Sequence, residues 1–82
     1  MNAPDEIRHK VQELAKALGH DARGVADDAI LPQTGLLDSA SILELILWVE
    51  SRFDLEIDQS ELSLDNFGSI RRMTEYIRTR KT

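Results

Sequence analysis

Between Gly35 and Glu50 the chain reads GLLDSASILELILWVE, the most apolar stretch of an otherwise acidic protein. Its spacing predicts a helix over Ser39–Phe53, with Asp38 or Ser39 as the cap, because either side-chain oxygen can accept from the free amides of a first turn. On a helical wheel Ile42, Leu45, Ile46, Val49 and Phe53 share one side and can pack on the first and last helices. Ala40, Leu43 and Leu47 follow at i, i+3 and i+7 on another side, bordered by Glu44 and Glu50, and Trp48 can serve either. One face cannot hide both stripes. Either the second packs under a neighbouring loop, or it stays accessible as an apolar strip with an acidic edge.

With 82 residues the chain is expected to form one domain over residues 1–82, around one modest core and without room for a deep catalytic cavity. Absence of cysteine excludes disulfides, thiolate metal sites and a cysteine nucleophile, leaving packing as the source of stability. The amino terminus MNAPDEIRHK has no basic start followed by an apolar core, and no apolar run reaches the roughly 18 residues of a membrane span. A soluble, cytoplasmic, monomeric protein with no membrane contact is the expectation. Fifteen acids against ten bases give a net charge of −5, and Arg71, Arg72, Arg78, Arg80 and Lys81 gather at the carboxyl end. The acid-rich middle repels phosphates, so nucleic acid is not the expected partner; a protein with a basic surface is.

Upstream, Ile7, Val11, Leu14, Ala15 and Leu18 recur at helical steps, which predicts a first helix over Pro4–Leu18 with Gly19 at its exit and Glu6, Arg8, Lys10, Glu13 and Lys16 facing water. Residues 19–37 hold no period and read as a long loop, pinned to the core by isolated Val25, Ile30, Leu31, Leu36 and Leu37. Downstream, Asp58 and Glu61 have the spacing of a capping box, which predicts a short helix over Gln59–Ser63. A last helix starts near Ser69, burying Ile70, Met73 and Ile77 with Tyr76 at the edge. The fold class is all-α, with three long helices and one short one.

Ser39 as a hydrolytic nucleophile would need a base, and the only histidines are His9, on the wet side of the first helix, and His20, in the loop. Hydrolysis by Ser39 is therefore not expected. Asp27 and Asp28 lack the oxygen-ligand spacing of a cation loop and read as solvated charge, so no metal is expected. The arginine-rich end suits a helix carboxyl terminus and implies nothing further.

GLLDSASILELILWVESRFDLEI followed by ELSLDNFGSI resembles the acyl carrier and peptidyl carrier proteins, from the first helix to the last. The resemblance implies a four-helix bundle in which a phosphopantetheinyl transferase attaches 4′-phosphopantetheine from coenzyme A to a serine after aspartate at the start of the second long helix. By that match Asp38 and Ser39 are the motif residues, and Leu37, Glu44, Phe53 and Ile57 also fall where carriers have similar residues. Ala40 stands where leucine is usual, and Ser41 and Ser51 replace residues often acidic in fatty acid carriers, which thins the acidic face. TGLLDS is similar to carriers of amino acids, D-alanyl carriers included.

The implied protein is a non-catalytic carrier that holds an acyl or aminoacyl intermediate as a thioester on an arm at Ser39. It would be a stand-alone carrier in a specialised pathway of polyketide, nonribosomal peptide or fatty-acid-like type. A narrower alternative is an aminoacyl or D-alanyl carrier loaded by an adenylating ligase. The implied partner face is Leu37, Ala40, Leu43, Glu44, Leu47 and Glu50, offered to the transferase, the loading ligase and downstream enzymes. The alternative of another class is a helical adaptor that uses the same strip and is never modified.

Overall fold

The structure is a computed structural model describing residues 2–81, with side chains described through residue 80; Met1, Thr82 and the Lys81 side chain of the basic terminus lie outside the described residues. Five α-helices and one 3-10 turn follow in order: α1 (Ala3–Ala17), α2 (Leu31–Thr34), α3 (Ser39–Arg52), the turn (Gln59–Glu61), α4 (Leu64–Phe67) and α5 (Ile70–Lys81). No strand occurs among the described residues. The long helices α1, α3 and α5 and the short α4 make the helical bundle; α2 is a single turn inside what the sequence predicts as continuous loop.

Helix α1 begins where the Asn2 side chain accepts the Asp5 amide at 3.0 Å, with Pro4 in the first turn and Asp5 and Glu6 at the positive end of the helix dipole. It ends at Gly19, whose φ of 82° is left-handed, with the His20 amide bonding Ala15 O and the Gly19 amide bonding Lys16 O, both at 2.9 Å. Its inner stripe is Ile7, Val11, Leu14 and Ala15. Leu45 and Val49 of α3, Phe67 of α4, and Ile70, Met73, Tyr76 and Ile77 of α5 complete the core with Ala22, Val25, Leu31 and Leu37 from the long connection.

The connection is thus held by apolar anchors, and the backbone adds more. The Leu31 amide bonds Gly68 O at 2.8 Å and the Arg71 amide bonds Asp27 O at 2.9 Å, tying residues 27–31 to the α4–α5 corner. The Arg8 guanidinium donates to Val25 O and pairs with the Asp27 carboxylate. Gly68 is required at that corner, since a Cβ there would sit 2.5 Å from Leu64 O.

Several expectations are corrected. Glu6 and Arg8 are half-buried, because α1 pairs Glu6 with Arg52 of α3 and Arg8 with the connection, and Lys10 is half-buried beside its partner Glu13 on the same helix. Asp27 is likewise a structural ion-pair partner and not a solvated acid. On α3 only Leu45 and Val49 are fully buried, whereas Ile42, Ile46 and Phe53 are half-buried, since the helix packs on α1 and the one-turn α2 and has no layer over its far side. Trp48 is also half-buried, edge-on to Phe53 at 5.9 Å. Tyr76, expected at the edge, is buried with its ring 4.7 Å from that of Phe67. The short helix predicted over Gln59–Ser63 is only a 3-10 turn, and the α-helical turn comes later, at Leu64–Phe67. Asp58 makes no side-chain cap; Glu61 instead accepts from the Tyr76 hydroxyl at 3.1 Å and from Arg80, a tertiary arrangement that outcompetes the local box.

Candidate functional site

The approach to α3 is stiffened residue by residue. Thr34 Oγ1 donates to Leu31 O at 2.7 Å and accepts the Leu36 amide at 3.2 Å, across a turn that Gly35 completes at φ 74°. Leu37 is 5% exposed and anchors the next residue in the core. This corrects its expected place on the partner face: the residue before the cap holds the helix start down and is unavailable to a partner.

Of the two candidate caps, Asp38 is the one used. Its carboxylate accepts the Ser41 amide at 2.8 Å, and this bond, together with one from the Ser41 hydroxyl, holds its pKa below the usual carboxylate value. Ser39 is left as the first helical residue, exposed, and its hydroxyl has no partner among the described residues. A hydroxyl in that position can be reached by an enzyme and lies where the helix dipole favours a phosphate. The two histidines line a different, open cleft of about 630 Å³ with Gln12, Glu13 and Lys16, so they give Ser39 no local base. No group of three or more histidines and acids able to hold a metal occurs among the described residues.

Around Ser39, Ala40 and Glu44 are exposed, and Leu43 and Leu47 are 53% and 55% exposed, so the connection does not cover the second stripe. Glu50, expected on its acidic border, is half-buried and accepts the Ile57 amide at 2.8 Å, so it ties down the segment after α3 instead of lining a partner edge. Ser39, Ile42 and Ile46 lie at i, i+3 and i+7, and Ile42 and Ile46 form one wall of an apolar groove of about 360 Å³. Leu62, Leu64 and Phe67 form the opposite wall. Leu62 and Leu64, 41% and 55% exposed, were not anticipated. The available signal was ELSLDNF, where two leucines alternate with polar residues in a stretch too short to bury both.

A small helical bundle that presents an exposed serine behind a capping aspartate, with exposed apolar side chains on the same helix, has the form of a carrier domain. The match to the phosphopantetheine attachment site family spans residues 11–77, and the chain belongs to that family. It is 31% identical over 78 residues to aminoacyl carrier protein 1 of Bradyrhizobium diazoefficiens, covering 90% of this chain and 84% of the relative. It is 33% identical over 64 residues to a D-alanyl carrier protein of Leuconostoc citreum, covering 77% and 81%. The protein is therefore a non-catalytic carrier whose cofactor is 4′-phosphopantetheine. Carrier proteins work with a phosphopantetheinyl transferase and with loading ligases. Among the described residues no helix is long and apolar enough to cross a membrane.

Proposed function

We propose that Ser39 is the attachment residue and that the cargo is an aminoacyl group, loaded by an adenylating ligase onto this carrier domain in a specialised cytoplasmic pathway. The observation that carries the reading is the exposed Ser39 hydroxyl, without a partner among the described residues, one residue after an Asp38 whose carboxylate is committed to the helix cap. The names of two relatives, an aminoacyl and a D-alanyl carrier, support an amino acid as cargo over a fatty acyl chain.

In attachment, Ser39 Oγ forms the new bond to the β-phosphorus of coenzyme A, the pyrophosphate P–O bond breaks, and adenosine 3′,5′-bisphosphate leaves. The hydroxyl proton goes to a base of the transferase, the neighbouring Asp38 carboxylate being engaged with the Ser41 amide. The arm supplies the thiol that a cysteine-free chain lacks. Tethering then raises the local concentration of the thioester at each partner. Asp38 holds the first turn of α3 fixed, so Ser39 is presented in one position.

Intact mass after incubation with coenzyme A, magnesium and a broad-specificity transferase tests the attachment. One arm should appear on wild type and none on Ser39→Ala, with helical content unchanged. An arm on Ser39→Ala, or none on wild type with several transferases, would refute it. Loading the armed protein with a panel of amino acids and fatty acids, each with its activating ligase, tests the cargo: an acyl thioester forming in preference to an aminoacyl one would refute that half.

A further inference from the structure

The turn that delivers the chain to Ser39 contains a hinge. Gly35 stands between α2 and the Asp38 cap at φ 74°, and a Cβ built on it would meet nothing within 4 Å, so the backbone conformation alone calls for glycine there. Glycine adopts negative φ about as readily. Some other group must select the setting that is observed.

Apolar anchors flank the hinge: Leu31 is fully buried before it and Leu37 is buried after it. Such contacts are non-directional, and they seat side chains in the core without fixing how the peptide planes between them are turned. Hydrogen bonds are directional. Of the amides of Leu36, Leu37 and Asp38, that of Leu36 alone has an acceptor among the described residues, and the acceptor is the Thr34 hydroxyl at 3.2 Å. The same hydroxyl donates to Leu31 O at 2.7 Å, and the Leu31 amide is itself fixed on Gly68 O. One side chain thus spans the glycine, tied on one side to a residue held by the α4–α5 corner and on the other to the first residue past the hinge.

We propose that Thr34 is a positioning residue for arm attachment: its hydroxyl, bridging Leu31 O and the Leu36 amide, locks Gly35 in the setting from which Asp38 enters α3 and Ser39 is held out to the transferase. The proposal rests on the reading of Ser39 as the attachment residue. With the bridge broken, the segment from Leu36 to Asp38 divides its time between hinge settings, and the serine hydroxyl meets the coenzyme A phosphorus in the reacting geometry less often. The exposed surface of α3, Leu43 and Leu47 included, is unaltered by that change. The chemical step therefore slows while docking does not.

Single-turnover attachment at limiting apo-carrier, over a range of transferase concentrations with saturating coenzyme A and magnesium, yields a maximal rate and a half-saturating concentration. Thr34→Val keeps the side-chain shape and removes the hydroxyl. It should lower the maximal rate roughly three- to tenfold, about what one net hydrogen bond is worth, with the half-saturating concentration within about twofold of wild type. Exchange of the Leu36 amide in the folded protein, followed by NMR, should quicken by a similar factor. Thr34→Ser retains the hydroxyl and should return both rates to wild type. Val11→Ala, a core truncation in α1 that lowers the unfolding midpoint, should leave the maximal rate unchanged. A wild-type maximal rate for Thr34→Val, a rise in its half-saturating concentration alone, or a Thr34→Ser protein as slow as Thr34→Val would overturn the proposal. So would a Val11→Ala protein slowed as much as Thr34→Val, because general loosening would then explain the loss. An arm on Ser39→Ala would remove the attachment reading and the hinge assignment with it, whereas a wild-type rate for Thr34→Val modified only at Ser39 removes the hinge assignment alone.

Discussion

Glu50 Oε2 accepts the backbone amide of Ile57 at 2.8 Å, closing the bend between the end of α3 and the segment that leads to the groove wall. One carboxylate thereby anchors seven residues of backbone from a half-buried position. Glu50→Ala should destabilise the protein by about 1–2 kcal/mol, the loss expected when a part-buried amide forfeits a charged acceptor. Urea unfolding measures it, and a change under about 0.3 kcal/mol would return Glu50 to the surface role that its charge suggests.

The two apolar faces of α3 should separate cleanly in stability. Leu45 is fully buried, Ile46 half-buried and Leu47 exposed, on consecutive residues. Leu45→Ala should cost about 3 kcal/mol, Ile46→Ala about 1, and Leu47→Ala less than about 0.5. A cost for Leu47→Ala equal to that for Leu45→Ala would show that the strip is packed in solution.

At the end of α3, Asp54 adopts a left-handed φ of 55° while the Leu55 amide bonds Glu50 O at 2.9 Å, a helix exit that ordinarily uses glycine. Asp54→Gly relieves the Cβ conflict and should raise stability by up to about 1 kcal/mol. Thermal unfolding reads this directly; a lower midpoint would mean that the aspartate side chain is needed there.

Acid should weaken the cap that holds Ser39 in place. Because the folded-state pKa of Asp38 is lowered, its contribution is complete above the unfolded value near 4 and disappears as pH falls below that, through the folded value. Asp38→Asn keeps a capping oxygen without the titration. As pH falls below about 4, where the unfolded group takes up its proton, the variant should lose less stability than wild type. Asp21, lowered to about 2 chiefly by its hydrogen bond with Arg23, titrates in both proteins and cancels from the comparison. Identical acid-unfolding curves would remove Asp38 from the pH dependence.

At the other extreme, burial and the hydrogen bond to Glu61 raise the Tyr76 pKa above 10.0. A raised pKa favours the protonated form in the folded state, so its contribution is present below pH 10 and lost as pH climbs through the folded value. Tyr76→Phe should flatten the alkaline limb of the stability profile. Equal loss above pH 10 in both proteins would place that limb elsewhere.

The periodicity of α1, α3 and α5 and the Asp38-Ser39 start were legible in the sequence, because each depends on neighbours three or four residues apart. Caps, stripes and glycine exits are local physics. What the sequence could not decide was which of several adequate partners each side chain would take. Glu61 matched a capping box and went to Tyr76 and Arg80; Glu50 matched a surface border and went to Ile57; Leu37 matched a partner face and went into the core. Each choice was made between groups far apart in the chain or by how much of a helix its neighbours cover. Only the assembled bundle sets those distances, and a strip stays exposed on α3 because α1 and the one-turn α2 are too few to cover both of its faces.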